Sequence, residues 1–169
     1  LASAGLGSGT HFAGEYQQHT AGIDVTHVPY KGIPEATNDL IAGRVQMFMA
    51  PLASAAPLVR DNRMRALGIT SLKRAAVFPD IPTVDESGLK GFRWDSWGGL
   101  YAPAKTPRAV IERLNREVTA ALRQPDVAKT MRALGAGPAP TTPGELDKFV
   151  AEDLAKVQKI AKLAGLKPE

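Results

Sequence analysis

The amino-acid sequence predicts an α/β fold, in which βαβ units build a parallel sheet and a set of helices without a sheet of their own follows. Two observations support this prediction. Residues 1–95 alternate strand-like and helix-like segments at the spacing that is typical of parallel βαβ units. Residues 103–169 show only the periodicity of amphipathic helices, so we expect them to pack on something largely absent from this chain.

Local signals place the elements of residues 1–95. Pro34 is tolerated in the first turn of a helix that ends at Gly43, and β-branched residues favour a strand just before it. The predicted order is strand 1–4, helix 10–20, strand 23–29, helix 34–42, strand 45–50, helix 52–60 and strand 65–70. Prolines and glycines then predict an irregular segment with one short helix near 84–87, before a strand-like aromatic segment at 92–101.

Three helices are predicted in the last third, at about 107–123, 125–135 and 143–164. Thr106 and Thr142 are good N-caps, and each is followed by a proline, which suits the first helical position. Apolar residues recur every three to four positions in the first and third helices, which indicates one buried face on each. No internal repeat is visible.

The composition excludes several classes of protein. The net charge is +4, but 21 basic residues are spread among 17 acidic ones, which indicates a solvated surface and no nucleic-acid site. No apolar run approaches the roughly 18 residues of a membrane span. The absence of cysteine excludes disulfides, thiolate metal sites and a cysteine nucleophile.

The first residues resemble the end of a strand, so we expect the natural N-terminus to lie upstream of Leu1.

A glycine-rich turn is the most informative local feature. It reads SAGLGSGTH from Ser3 to His11, and a helix begins within it. Glycines allow positive φ and close approach by a ligand, while a helix start offers unpaired N–H groups to an anion. Two interpretations stay open: a cradle for a carboxylate or phosphate, or simply a tight connection between a strand and a helix.

No set of residues indicates catalysis or a metal. The turn lacks the spacing of a dinucleotide fingerprint, and no Gly-Lys-Ser/Thr follows it, so it is not a P-loop. His11, His19 and His27 do not pair with acids at the spacing of metal ligands, and Ser8 has no partner acid. Trp94 and Trp97 are best explained by packing at a domain junction. We therefore expect no enzyme, no metal and no cofactor.

Several stretches along the chain carry a family resemblance. In order they are ASAGLGSGTHFAGE, HVPYKG, LIAGRVQMF, RMRALGITSLKR, PDIPTVDESGLKGF and WGGLYAPAKTPRAVIERLN. They resemble the Bug/TctC family, the extracytoplasmic solute-binding receptors of tripartite tricarboxylate transporters. The resemblance covers essentially the whole chain, and HVPYKG combined with PDIPTVDESG is its most specific part.

The resemblance implies a periplasmic-binding-protein-like fold, in which two α/β domains enclose the ligand. It places most of domain 2 at 1–93, an interdomain crossing strand at 94–102, and helices of an incomplete domain 1 at 103–169. It further implies a periplasmic receptor that captures a small carboxylate, either a di- or tricarboxylate or an aromatic acid, and delivers it to membrane permease subunits. The apolar faces of the tail helices also leave a dimer open.

The resemblance places the ligand at the tips of three loops, where backbone amides and small hydroxyl groups bind it. The expected residues are Ala4, Gly5, Gly7 and Ser8 in the first loop, Tyr30, Lys31 and Gly32 in the second, and Ala50 in the third.

Two positions depart from the family pattern. Ile33 replaces a frequent second glycine, and Met49-Ala50 stands where many members place an acidic residue, which argues against amino-acid ligands. Two alternative functions stay open: a ligand-sensing receptor or interaction module on the same fold, and an esterase- or phosphatase-type enzyme.

Overall fold

The computed structural model describes residues 1–165, which contain two short strands and six helices. The strands are β1 (Ala2–Ser3) and β2 (Val28–Pro29). The helices are α1 (Gly9–Ala21), α2 (Ile33–Ile41), α3 (Leu52–Arg60), α4 (Arg108–Leu122), α5 (Pro125–Ala133) and α6 (Pro143–Leu163). Every predicted helix of the tail and of the βαβ units is present, because its start and stop signals are local. The fold is the predicted mixed α/β fold with a parallel sheet.

The sheet is smaller than the sequence predicts. β1 lies at its centre, pairs with β2 in parallel, and forms a single parallel bridge from Ala2 to Phe48. Of the predicted strand 23–29, only the last two residues form a strand. Earlier in this segment, the N–H of Val25 donates to the side chain of Gln18 and not to a neighbouring strand. The predicted strand 45–50 contributes only the bridge at Phe48.

Three other predictions for residues 65–101 need correction. The predicted strand 65–70 pairs only through a bridge between Ile69 and Thr83, and the predicted helix near 84–87 is a series of turns. The aromatic segment 92–101 forms no strand in the described part of the chain, where its one backbone–backbone bond to another segment runs from Trp94 to Thr70. A strand forms only where a neighbouring strand pairs with it over several residues, and each of these segments is paired at a single residue.

The core between the sheet and α2 is small. Ala2, Ala36 and Val45 are buried there, and partly buried larger side chains surround them. Those larger residues are Val28, Tyr30, Leu40 and Phe48. Because alanines lie at the contact, α2 approaches β1 closely, and this holds the start of α2 beside the end of β1.

The tail helices are thinly packed, and in the described residues only α6 among them has a side-chain cap. The predicted N-cap Thr106 lies one residue too early, because the N-cap position of α4 is Pro107 and has no side-chain bond. Thr142 and Glu145 form a complete capping box at the start of α6. The predicted buried face of α4 is not observed: α4 buries none of its residues, and Val110 is 45% exposed. α4 contacts α5 and α6, and these contacts leave much of its apolar side exposed. Within residues 1–165, no helix is both long and apolar enough to cross a membrane.

Candidate functional site

Three loops meet at one edge of the sheet. β1 and β2 run parallel, and so does the chain at Phe48, so their carboxyl ends point the same way. The loops that follow are 4–8, 30–32 and 49–51, and each leads directly into a helix. Open α/β sheets bind ligands at this edge. The structure thus brings together the three segments that contain the expected binding residues.

The glycine-rich turn has a shape that only glycine adopts easily. Gly5 has φ +119° and Gly7 has φ +70°, both in the region where side chains are disfavoured. A side-chain carbon on Gly5 would also lie 3.1 Å from the backbone carbonyl oxygen of Tyr30. Gly5 therefore brings the first loop into direct contact with the second.

Most N–H groups of the turn are already used inside it. Ala4 donates to Thr10 Oγ1 at 2.8 Å, and Gly5 donates to Ser3 Oγ at 3.2 Å. Gly7 donates to His11 Nδ1 at 3.1 Å. The amides of Ala4, Gly5 and Gly7 are thus held by the protein itself and shape the turn.

Ser8 also serves mainly to build the turn. It is the N-cap of α1, and its Oγ accepts from the N–H of His11 and donates to the carbonyl of Gly5 at 2.7 Å. The same oxygen lies 2.9 Å from Thr10 Oγ1. These bonds satisfy the start of the helix, so the hydroxyl is not a free donor.

The donors left over are those of Leu6 and of the first turn of α1. Among the described residues, the N–H groups of Leu6, Gly9 and Thr10 have no internal partner. Gly9 is exposed, whereas Thr10 is 8% exposed. The first helical N–H groups carry partial positive charge, so the accessible amide of Gly9 is the donor best placed for an anion. Gly9 was not among the expected binding residues, because the sequence does not show which amides of the turn find partners in the folded chain.

In the second loop, the hydroxyl of Tyr30 is already bonded within the protein. Tyr30 donates its hydroxyl to Asp39 Oδ2 at 2.9 Å, and Arg44 binds the other oxygen of Asp39 at 2.7 Å. Partial burial, and then the bond to Asp39, raise the pKa of Tyr30. The hydrogen bonds from Tyr30 and Arg44 lower the pKa of Asp39. Tyr30 is therefore committed to the core and to α2.

The remaining expected residues lie at the ends of their loops. Lys31 is exposed, and Gly32 is the N-cap of α2, beside the carboxylate of Glu35. That carboxylate already occupies the positive end of α2. Ala50 is half-buried one residue before the N-cap of α3 and offers only backbone. The first loop is therefore the part of the edge most open to an anion.

A cavity of about 320 Å³ opens beside the turn. Its walls come from the turn, the aromatic segment and α6: Gly7, Gly9, Phe12, Trp94, Asp95, Ser96, Trp97, Asp153, Lys156 and Val157. The Lys156 ammonium donates to the carbonyl of Arg93 at 3.1 Å and lies 4.8 Å from the centre of the Trp94 ring. Trp97 donates to Asp153 at 3.0 Å. Both tryptophans were expected to pack, whereas nothing in the sequence indicates that Lys156, which lies far along the chain, reaches this cavity.

A serine–histidine pair does occur, but it is inaccessible. Ser3 Oγ lies 2.6 Å from His27 Nε2, yet Ser3 is 0% exposed. A buried hydroxyl cannot attack a substrate. In the described residues, no group of three or more histidine and acidic side chains could hold a metal ion.

Comparisons with known proteins concern the family and the fold. The family model described as "Tripartite tricarboxylate transporter family receptor" (TctC) matches residues 1–166. A solved structure of Rpa4515 from R. palustris with adipate is 32% identical with a TM-score of 0.95, and the match covers 100% of this chain and 56% of that one. A structure of the periplasmic binding protein BugD is 32% identical with a TM-score of 0.91, covering 100% of this chain and 57% of that one.

A third solved structure holds a different acid. MatC (Rpa3494) from Rhodopseudomonas palustris with bound malate is 33% identical with a TM-score of 0.86, and the match covers 94% of this chain and 55% of that one. The chain spans about half the length of most curated relatives that it matches.

Proposed function

Because the chain belongs to the tripartite tricarboxylate transporter receptor family, we propose that it forms one wall of a cleft that captures a small dicarboxylate outside the cytoplasm. Family members are solute-binding receptors, and the fold is that of the periplasmic binding proteins. In the proposal, the receptor makes and breaks no covalent bond and passes its ligand to membrane permease subunits.

The observation that carries the proposal is the accessible N–H of Gly9 at the start of α1. An acid oxygen placed there accepts a charge-assisted hydrogen bond and lies at the positive end of a helix of 13 residues. Leu6 offers a second amide in the same turn, whereas the adjoining cavity holds the Lys156 ammonium together with the carboxylates of Asp95 and Asp153, so the amides of the turn carry the proposal. These amides suit a carboxylate.

A ligand with two carboxylates fits this arrangement better than one with an amino group. Met49 and Ala50 offer no acid to pair with an ammonium. The solved relatives with adipate and malate support dicarboxylates as the first class to test. Tricarboxylates and aromatic acids form the second class.

A thermal-shift screen of the protein in its full natural length tests the proposal. Adipate, malate, citrate, benzoate, glucose and glutamate would be compared at equal ionic strength. A ligand at a hundred times its Kd stabilises the folded state by about 2.7 kcal/mol, which raises Tm by several degrees. We expect adipate or malate to give the largest rise. A rise with glucose and none with any carboxylate would overturn the proposal.

Delivery and self-association are separate proposals about partners. Rotation of the two domains around the ligand would create the closed form that docks on the permease. The exposed apolar side chains of α4 and α6, such as Val110 and Phe149, support the prediction that copies of this chain associate. Light scattering over a range of concentrations measures the association directly, and a constant monomer mass would contradict it.

A further inference from the structure

Two histidines form a stacked pair beneath the glycine-rich turn. The rings of His11 and His27 are nearly parallel, at 14°, with centroids 4.1 Å apart. His11 lies in the first turn of α1 and is 2% exposed, and His27 directly precedes β2. The function proposed above uses neither ring.

His11 holds the turn directly. Its Nδ1 accepts the N–H of Gly7 at 3.1 Å, so in this structure the ring proton is on Nε2. Nε2 lies 3.5 Å from Glu15 Oε1, which favours the same tautomer. Gly7 has a left-handed backbone, and its N–H donates to His11 Nδ1.

His27 holds the other glycine through a serine. Its Nε2 lies 2.6 Å from Ser3 Oγ, and the same Oγ accepts the N–H of Gly5 at 3.2 Å. Burial, and then the proximity of His11, lower the pKa of His27, which favours the neutral ring. Both glycines with positive φ in the turn are therefore connected to the stacked rings, Gly7 by a direct hydrogen bond and Gly5 through Ser3.

This arrangement exceeds what ordinary packing requires. A buried histidine needs partners for its own ring nitrogens, and a carbonyl or water would serve. Here the partners are Gly7 itself and Ser3, the serine whose Oγ accepts from the N–H of Gly5. The pair lies between α1, β1 and the start of β2, so it connects the turn to the sheet.

We propose that His11 is a positioning residue that holds the glycine-rich turn in the shape in which the amide of Gly9 can bind a carboxylate, with His27 as its support. The inference rests on the proposed function for the ligand. That the imidazole of His11 holds the N–H of Gly7 in a hydrogen bond does not depend on the proposed function.

Two substitutions of His11 separate the hydrogen bond from the packing. In His11→Asn, Oδ1 takes the position of Nδ1 and can still accept from Gly7, whereas His11→Leu fills the space without an acceptor. We expect His11→Leu to weaken adipate binding about tenfold or more, and His11→Asn to stay within about threefold of the unmodified protein. His19→Leu is the matched control, since His19 is exposed near the other end of α1.

Amide hydrogen exchange at Gly7 gives the second readout. Exchange should be slow in the unmodified protein and in His11→Asn, and at least about tenfold faster in His11→Leu. Tight binding by His11→Leu, or unchanged exchange at Gly7, would overturn the inference. Equal losses in both variants would overturn it too, because packing alone would then explain them. If the unmodified protein binds no carboxylate, the proposed function fails, while exchange at Gly7 still decides the role of His11.

Discussion

Replacing Gly9 by proline removes the amide that carries the proposed anion site. Gly9 is the first residue of α1, where proline is the favoured imino acid and no helical hydrogen bond is lost. The residue before a proline must be extended, and Ser8 already is, with φ −72° and ψ 158°. The substitution therefore removes a donor and leaves the helix start intact.

The expected effect follows from one charge-assisted hydrogen bond. Such a bond contributes about 1.5–3 kcal/mol, so Kd for the best dicarboxylate should rise roughly ten- to a hundredfold. The Tm of the unliganded protein should change little. Titration calorimetry measures the first quantity, and calorimetric unfolding without ligand measures the second.

Gly9→Ala is the matched control. No atom lies within 4 Å of a side-chain carbon placed on Gly9, so alanine fits and keeps the N–H. We expect its Kd to stay within about threefold of the unmodified protein, because no donor is lost. Equal affinities of the proline and alanine variants would show that the amide of Gly9 does not bind the ligand, and the site would have to be sought elsewhere on the edge.

Three further predictions concern stability. Gly5→Ala should cost about 1–3 kcal/mol in urea unfolding, because φ is +119° and the new carbon would press on the carbonyl of Tyr30; an unchanged midpoint would contradict this strain. Thr142→Ala should cost about 1 kcal/mol through loss of the capping box of α6, with Thr141→Ala near zero as the control; equal losses would rule out the cap. Because the pKa of His27 is lowered in the folded protein, the unfolded chain binds this proton at a higher pH than the folded protein does. The free energy of unfolding should therefore fall as the pH drops below 6.5. His27→Gln should reduce the slope of the unfolding free energy against pH, and an equal slope in both proteins would contradict this prediction.

Helices were predictable because their signals are local. The capping residues Ser8 and Thr142 lie within a few residues of the amides that they satisfy, and Pro34 restricts only its own backbone. Apart from the short helix expected near 84–87, each predicted helix therefore ends within about two residues of the observed one, the margin expected at helix ends. The family resemblance was visible for a related reason, since its motifs are contiguous runs of residues.

Strands were overpredicted because a strand exists only with a neighbour. β-Branched residues at 23–29 favour extended backbone, but the position of Gln18 at the end of α1 decided that Val25 donates to a side chain. Phe48 and Ile69 likewise lie in extended segments that meet a partner at one residue each. Which segments approach one another is a property of packing across the whole chain.

The sequence by itself determined where the glycine-rich turn lies, which helix begins within it, and to which family the chain is similar, since each depends on residues adjacent in the chain. Only the tertiary structure decided how the turn is used. It showed that the amides of Ala4, Gly5 and Gly7 are taken by Thr10, Ser3 and His11, and that the amide of Gly9 is open. It also brought His27 under the turn and Lys156 beside it. A hydrogen-bond donor binds a ligand only when no nearer partner takes it, and which partners are near depends on the folded chain.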